Sequence, residues 1–131
     1  MPARVLVADD EPLTADMLAL MLAFRGFEVV CVHDGAAALE QALAWKPDVM
    51  VLDVLMPELE GVDVTRALRD HDELAERPVI LISSYDESEV AWRDAGADVF
   101  LRKPIDIVKL PELVDRLLSG EDPPPMRRRA A

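Results

Sequence analysis

The 131-residue sequence holds one cysteine, two histidines and only 14 basic residues against 26 acidic ones. The lone Cys31 rules out an internal disulfide, and its setting among Val29, Val30 and Val32 reads as a small buried hydrophobe. His33 and His71 stand far apart with no companion ligands or nucleophile, which assigns them to the surface rather than to catalysis. A net charge of −12 argues against this chain alone holding a nucleic-acid backbone, since phosphate contact needs clustered Lys and Arg. The one basic cluster, Arg127-Arg128-Arg129, lies beyond Pro123-Pro124-Pro125. It belongs to a tail, residues 120–131, expected to be extended and mobile outside a folded unit of residues 1–119. No apolar run is long enough to span a membrane, and Val5–Ala8 is too short and too soon followed by acids for a signal peptide. The expectation is a soluble, cytoplasmic protein with no membrane partner.

What the chain does have is alternation. Short runs rich in Val, Ile and Leu at Arg4–Ala8, Glu28–Cys31, Asp48–Leu52, Pro78–Ile82 and Asp98–Leu101 read as strands. Several are continuously apolar, which suits a parallel sheet covered on both faces. Between them, Leu13–Arg25, Gly35–Trp45, Val62–Asp70 and Glu87–Ala95 read as helices, with a fifth ending near Ser119. Gly26 and Gly96 fit C-terminal caps, Pro47 and Pro78 fit strand approaches, and Trp45 closes the second helix. Met17, Leu18, Met21 and Leu22 have the spacing of a core face. Pro111 cannot donate to a helix begun at Asp106, so the last helix starts nearer Leu110 or its first turn is kinked.

Five such units with right-handed crossovers predict an α/β, flavodoxin-like, doubly wound (βα)5 fold, with a five-stranded parallel sheet of order 2-1-3-4-5. In that order the winding reverses between the first and third strands, and ligands bind in the crevice at the carboxyl ends there. Asp9, Asp10 and Glu11 follow the first strand, Asp53 ends the third, Ser83 and Ser84 follow the fourth, and Lys103 follows the fifth. Three clustered carboxylates repel one another unless a cation is present. With no His or Cys nearby, the fitting cation is Mg2+, which keeps waters and shares positions with phosphate. Lys103 and Ser83 then suit phosphoryl oxygens, leaving Asp53 as a nucleophile able to form an acyl phosphate. Taken singly, each has a plainer reading: a solvated acidic loop, a helix-capping serine, a snorkelling lysine. Their joint placement at four strand ends is what favours a site.

These residues resemble the bacterial two-component response-regulator receiver domains, chemotaxis-regulator-like, over Arg4 to about Ser119. The likeness is carried by Asp9-Asp10, by Asp53-Val54-Leu55-Met56-Pro57 with Gly61 beyond, by Ser83 after Pro78–Ile82, and by Lys103-Pro104 after Gly96-Ala97-Asp98. The resemblance implies Asp53 as phosphoacceptor, with Asp10, Asp53 and the Leu55 backbone carbonyl as direct Mg2+ ligands and Asp9 acting largely through water. It implies that Ser83 and Lys103 bind the phosphoryl group, that Ser83 and Phe100 form the switch, and that the Lys103–Pro104 bond is cis. Phe100 reads equally as a core aromatic. The implied partners are a sensor histidine kinase or a histidine phosphotransfer protein, a downstream protein target, and a phosphorylation-dependent homodimer. Output is expected on the fourth helix, fifth strand and fifth helix. Trp92 reads as packed, although that surface could leave it partly exposed.

Serine stands at position 83 where threonine is frequent, and Ser84 where alanine is usual. Leu55 cannot orient a hydrolytic water and Tyr85 can shield a phosphate, so self-dephosphorylation is expected to be slow. The reading is of a regulatory phosphoacceptor rather than an enzyme, either a single-domain regulator or phosphorelay carrier, or a receiver cut from a larger regulator. An Mg2+-dependent phosphatase of the haloacid-dehalogenase type is the alternative. It would need a second acid two residues after the nucleophile, where this chain has Leu55.

Overall fold

A computed structural model describes residues 2–120. The expectation of a mobile tail from residue 120, with its Arg127–Arg129 cluster, lies outside the described residues except for Gly120. The elements run β1 (Arg4–Ala8), α1 (Pro12–Phe24), β2 (Glu28–Val32), α2 (Gly35–Trp45), β3 (Val49–Asp53), α3 (Gly61–Arg69), β4 (Val79–Ser83), α4 (Trp92–Ala95), β5 (Val99–Arg102) and α5 (Leu110–Leu118). All strand pairs are parallel, in the order β2-β1-β3-β4-β5. This is the sheet that the apolar alternation predicted.

Alternate residues of each strand serve opposite faces, as the two-residue strand period requires. Leu6, Ala8, Met50, Leu52, Leu81 and Phe100 join Ala38, Ala42, Val64, Leu68 and Trp92 in the core beneath α2, α3 and α4. Val5, Val7, Val49, Val51, Ile80, Ile82 and Val99 join Ala15, Leu18, Leu22, Leu110, Leu113 and Val114 beneath α1 and α5. Continuous burial along β3 and β4 follows from cover on both faces.

Several boundaries differ from expectation by one residue, and one of these shifts matters. β4 includes Ser83, paired with Arg102 across the ladder, rather than stopping before it. Ser83 is therefore held by the sheet instead of lying in the following loop. Gly26 and Gly96 both take positive φ after helices, as expected, whereas α2 ends on a left-handed Lys46, which nothing in its residue type announced. The last helix starts at Leu110 with Pro111 in its first turn, where the missing N–H costs nothing.

The fourth helix is a correction. In place of one helix over Glu87–Ala95 there is a 3-10 turn over Glu87–Glu89, an extended Val90, and a single α-turn over Trp92–Ala95. Reciprocal capping between Asp86 and Glu89 closes the first turn, and the β-branched Val90 then takes extended backbone. Trp92 is buried against Phe100, their rings 6.0 Å apart, with the Arg93 guanidinium over the indole. The packed reading of Trp92 holds.

Two further expectations change. Cys31 is only half-buried, because β2 is an edge strand, and its thiol lies 3.4 Å from the Ala15 carbonyl. Burial first, and the charge of Asp16 second, raise its pKa. On α1, Leu18 and Leu22 are core residues, but Met17 faces outward and is 52% exposed. Among the described residues no helix is long and apolar enough to cross a membrane.

Candidate functional site

Four strand ends supply the side chains at the carboxyl edge of the sheet. Asp9 follows β1, its N–H bonded to the Val32 carbonyl, so the β1–β2 pairing fixes where its carboxylate points. Asp53 is the last residue of β3, in register with Ile82. Behind it, the Gly61 N–H donates to the Val54 carbonyl. A Cβ at Gly61 would collide with the Asp53 carbonyl oxygen, so the start of α3 rests directly on the Asp53 backbone. Lys103 follows β5, and its N–H donates to the Ser83 carbonyl at 2.7 Å. The Lys103–Pro104 bond is cis, as the resemblance implied.

These placements converge. The Lys103 ammonium lies 3.1 Å from Asp9 Oδ2, 3.2 Å from Asp53 Oδ2 and 3.3 Å from Glu11 Oε1. Asp9, Asp53 and Ser83 are buried and Asp10 is exposed. Burial and the neighbouring Asp9 charge raise the Asp53 pKa to about 7, against the lowering effect of Lys103. For Lys103, burial alone would depress the pKa. Contact with Asp9 and Asp53 outweighs it and lifts the value to about 12, so the ammonium keeps its charge.

Carboxylate oxygens of Asp9, Asp10 and Asp53 lie within 4.8 Å of one another. Asp9 Oδ2 is buried without an aligned hydrogen-bond donor. A donor set of oxygens alone, partly open to water and short of compensating charge, fits a hard divalent cation such as Mg2+ better than a thiophilic one. The Leu55 N–H reaches toward Asp53 Oδ1 at 3.4 Å, and Leu55 itself is 44% exposed at the mouth. Ser83 Oγ accepts from the Tyr85 N–H at 3.0 Å, which orients the hydroxyl and leaves the Tyr85 ring outside. Ser84 is exposed. Phe100 lies apart from the acids, buried under α4.

Two contacts were not anticipated. Glu11 is a third partner of Lys103, and its place in the Asp9-Asp10-Glu11 run was the available signal. His33, exposed as expected, sets Nδ1 3.1 Å from the Asp9 carbonyl oxygen. No spacing in the sequence indicates that contact, because it depends on the β1–β2 register.

The residue pattern of the response regulator receiver domain matches residues 5–115. Response regulator MprA of Mycobacterium bovis is 37% identical over 125 residues, covering 94% of this chain and 54% of that protein. The chain thus spans about half the length of the curated relatives it matches. Among solved structures, the receiver domain of a signal transduction histidine kinase from Syntrophus aciditrophicus superposes with a TM-score of 0.82 at 34% identity, over 90% of this chain and 91% of that one. The chemotaxis response regulator CheY4 of Vibrio cholerae does so at 0.83 and 28%, over 89% and 99%. A match that takes in all five strands and the three acids, Ser83 and Lys103 alike leaves one conclusion: the chain belongs to the response regulator receiver domain family.

Proposed function

We propose that this receiver domain is a phosphorylation-operated switch in which Asp53 accepts a phosphoryl group from a phosphohistidine. The donor is a sensor histidine kinase or a histidine phosphotransfer protein. The observation that carries this reading is the Lys103 ammonium within 3.2 Å of both Asp9 and Asp53, beside three carboxylates whose oxygens lie within 4.8 Å. A carboxylate oxygen of Asp53 attacks phosphorus, the P–N bond to the donor imidazole breaks, and the imidazole leaves with the electron pair. Asp10, Asp53 and the Leu55 carbonyl would hold Mg2+ directly, with Asp9 acting through water, and the ion would supply charge neutralisation for the phosphoryl oxygens. Lys103 adds a fixed positive charge, and Ser83 supplies a hydroxyl that leaves its Tyr85 contact to reach the phosphoryl group.

Phosphorylation biases a two-state surface made of α4, β5 and α5, which a protein target reads. The extended Val90 and the Trp92–Phe100 contact support that location, since a one-turn helix preceded by an extended residue has few helical hydrogen bonds to break when it rearranges. Leu55, which cannot orient a water, and Tyr85, whose ring can shield the phosphate, support slow self-dephosphorylation. The phosphatase alternative lacks its second acid at Leu55. Incubation with acetyl phosphate and Mg2+, followed by intact-mass measurement, tests the reading. Wild type should gain one phosphoryl group that persists for minutes or longer, and Asp53→Asn should gain none. Equal labelling of both would overturn it.

A further inference from the structure

His33 and Asp34 connect β2 to α2, whose first residue is Gly35. The Asp34 carboxylate accepts from the Ala37 N–H at 2.7 Å and caps the helix, so it takes no part in the acidic site. Its two neighbours each reach a different loop of that site. A carbonyl oxygen can only accept, so the His33 Nδ1–H donates to Asp9 across 3.1 Å. That oxygen belongs to the peptide unit joining Asp9 to Asp10. The Asp9 N–H donates to the Val32 carbonyl, so β2 and its extension grip the residue on both sides and set the direction in which Asp10 leaves. On the other side the Gly35 N–H donates to the Pro57 carbonyl at 3.1 Å, in the loop after Asp53 that carries Leu55. A Cβ on Gly35 would overlap the Leu59 carbonyl oxygen, so only glycine permits this approach. The Pro57 carbonyl also accepts from the Leu59 N–H, closing a γ-turn on Glu58 at a φ of 74°. A residue with a Cβ keeps so strained a turn where its surroundings impose it.

We propose that His33 and Gly35 form a brace that fixes the spacing between the Asp9-Asp10 turn and the Leu55–Pro57 loop, and thereby sets the affinity of the site for Mg2+. The inference rests on the reading of Asp10, Asp53 and the Leu55 carbonyl as the ligands of that cation. Those ligands come from loops after two different strands. The β1–β3 ladder ends with Ala8 opposite Leu52, so the sheet does not itself set the distance from Asp10 to Leu55. Lys103 joins the two loops through side-chain charge, at Asp9 and Asp53. The brace joins them through backbone atoms, which have less freedom to adjust. Mg2+ demands near-ideal octahedral geometry at short distances, whereas the larger Ca2+ accepts irregular, flexible sites. Loosening the brace therefore costs Mg2+ more than Ca2+, a selectivity that loss of overall stability would not alter.

Melting temperatures of the full chain, titrated with MgCl2 and with CaCl2 at fixed ionic strength, give a half-saturating concentration for each cation. His33→Leu, at an exposed position, should raise the Mg2+ value about tenfold, as loss of a contact behind a metal ligand does, and the Ca2+ value by less. Its metal-free melt should stay near wild type. His33→Asn, whose amide N–H takes the place of Nδ1–H, should keep both values close to wild type. Gly35→Ala, which must displace Leu59, should weaken Mg2+ at least as much as His33→Leu. If wild type responds to Mg2+ and His33→Leu matches it, the brace is overturned and the reading of the site stands. Equal weakening in His33→Leu and His33→Asn would overturn it too, because the N–H donor is then not the cause. A wild type indifferent to Mg2+ overturns the reading of the site itself, and the brace with it.

Discussion

Asp53 sits at the end of a central strand, where burial and the Asp9 charge raise its pKa to about 7 even with Lys103 beside it. In the unfolded chain the same carboxyl titrates near its ordinary value of 3.8. Between those values the folded state binds the extra proton, so the contribution of Asp53 to stability is fully present below about pH 4 and is lost as pH rises toward 7. In metal-free buffer, urea unfolding from pH 4.5 to 7.5 should therefore show Asp53→Asn gaining on wild type by about 1–2 kcal/mol. This is less than the whole shift implies, because water at the mouth screens these charges. A flat difference between the two across that range would contradict the account.

At the scale of elements, position is governed by how closely backbones approach. The start of α3 lies on the Asp53 carbonyl, and only glycine fits at position 61. Gly61→Ala should destabilise the fold by about 2 kcal/mol or more through overpacking. It should also slow acetyl phosphate labelling, since any relief of the clash moves Asp53. Thermal melts and labelling rates of the variant check both effects. The far end of α3 is fixed differently. Arg69 donates to the carbonyls of Gly96, Leu74 and Arg77 and pairs with Asp98, tying α3 to the loops before β4 and β5. Within this frame α4 is the short, weakly supported element. Its single turn closes on the Ala95 N–H donating to the Ala91 carbonyl, the Gly96 and Ala97 N–H groups cap the Arg93 and Trp92 carbonyls, and buried Trp92 seats the turn in the core.

For the molecule as a whole, an acid excess of twelve charges adds self-repulsion to the repulsion inside the site. Sodium chloride should raise the melting temperature modestly by screening the first. Millimolar Mg2+ at matched ionic strength should raise it further by binding the folded site, with the excess largely lost in Asp10→Asn. An equal response to both salts in wild type would count against a cation at Asp9, Asp10 and Asp53.

Much of this was legible before any coordinates. Five apolar runs alternating with helical spacing determined a parallel doubly wound sheet, and with it the edge on which Asp9, Asp53, Ser83 and Lys103 gather. Strand period and burial are local properties, written into the side chains themselves. The break at Val90, the left-handed Lys46, the half-exposed Cys31 and the contacts of Glu11 and His33 were not legible. Each depends on what a distant segment does: a capping turn competing with helix propensity, an edge strand left uncovered, a register that sets one loop against another. The outward face of α1 belongs with these. Met17 read as core beside Leu18 and Leu22 in one dimension, and only the packed structure decided which of them face the sheet.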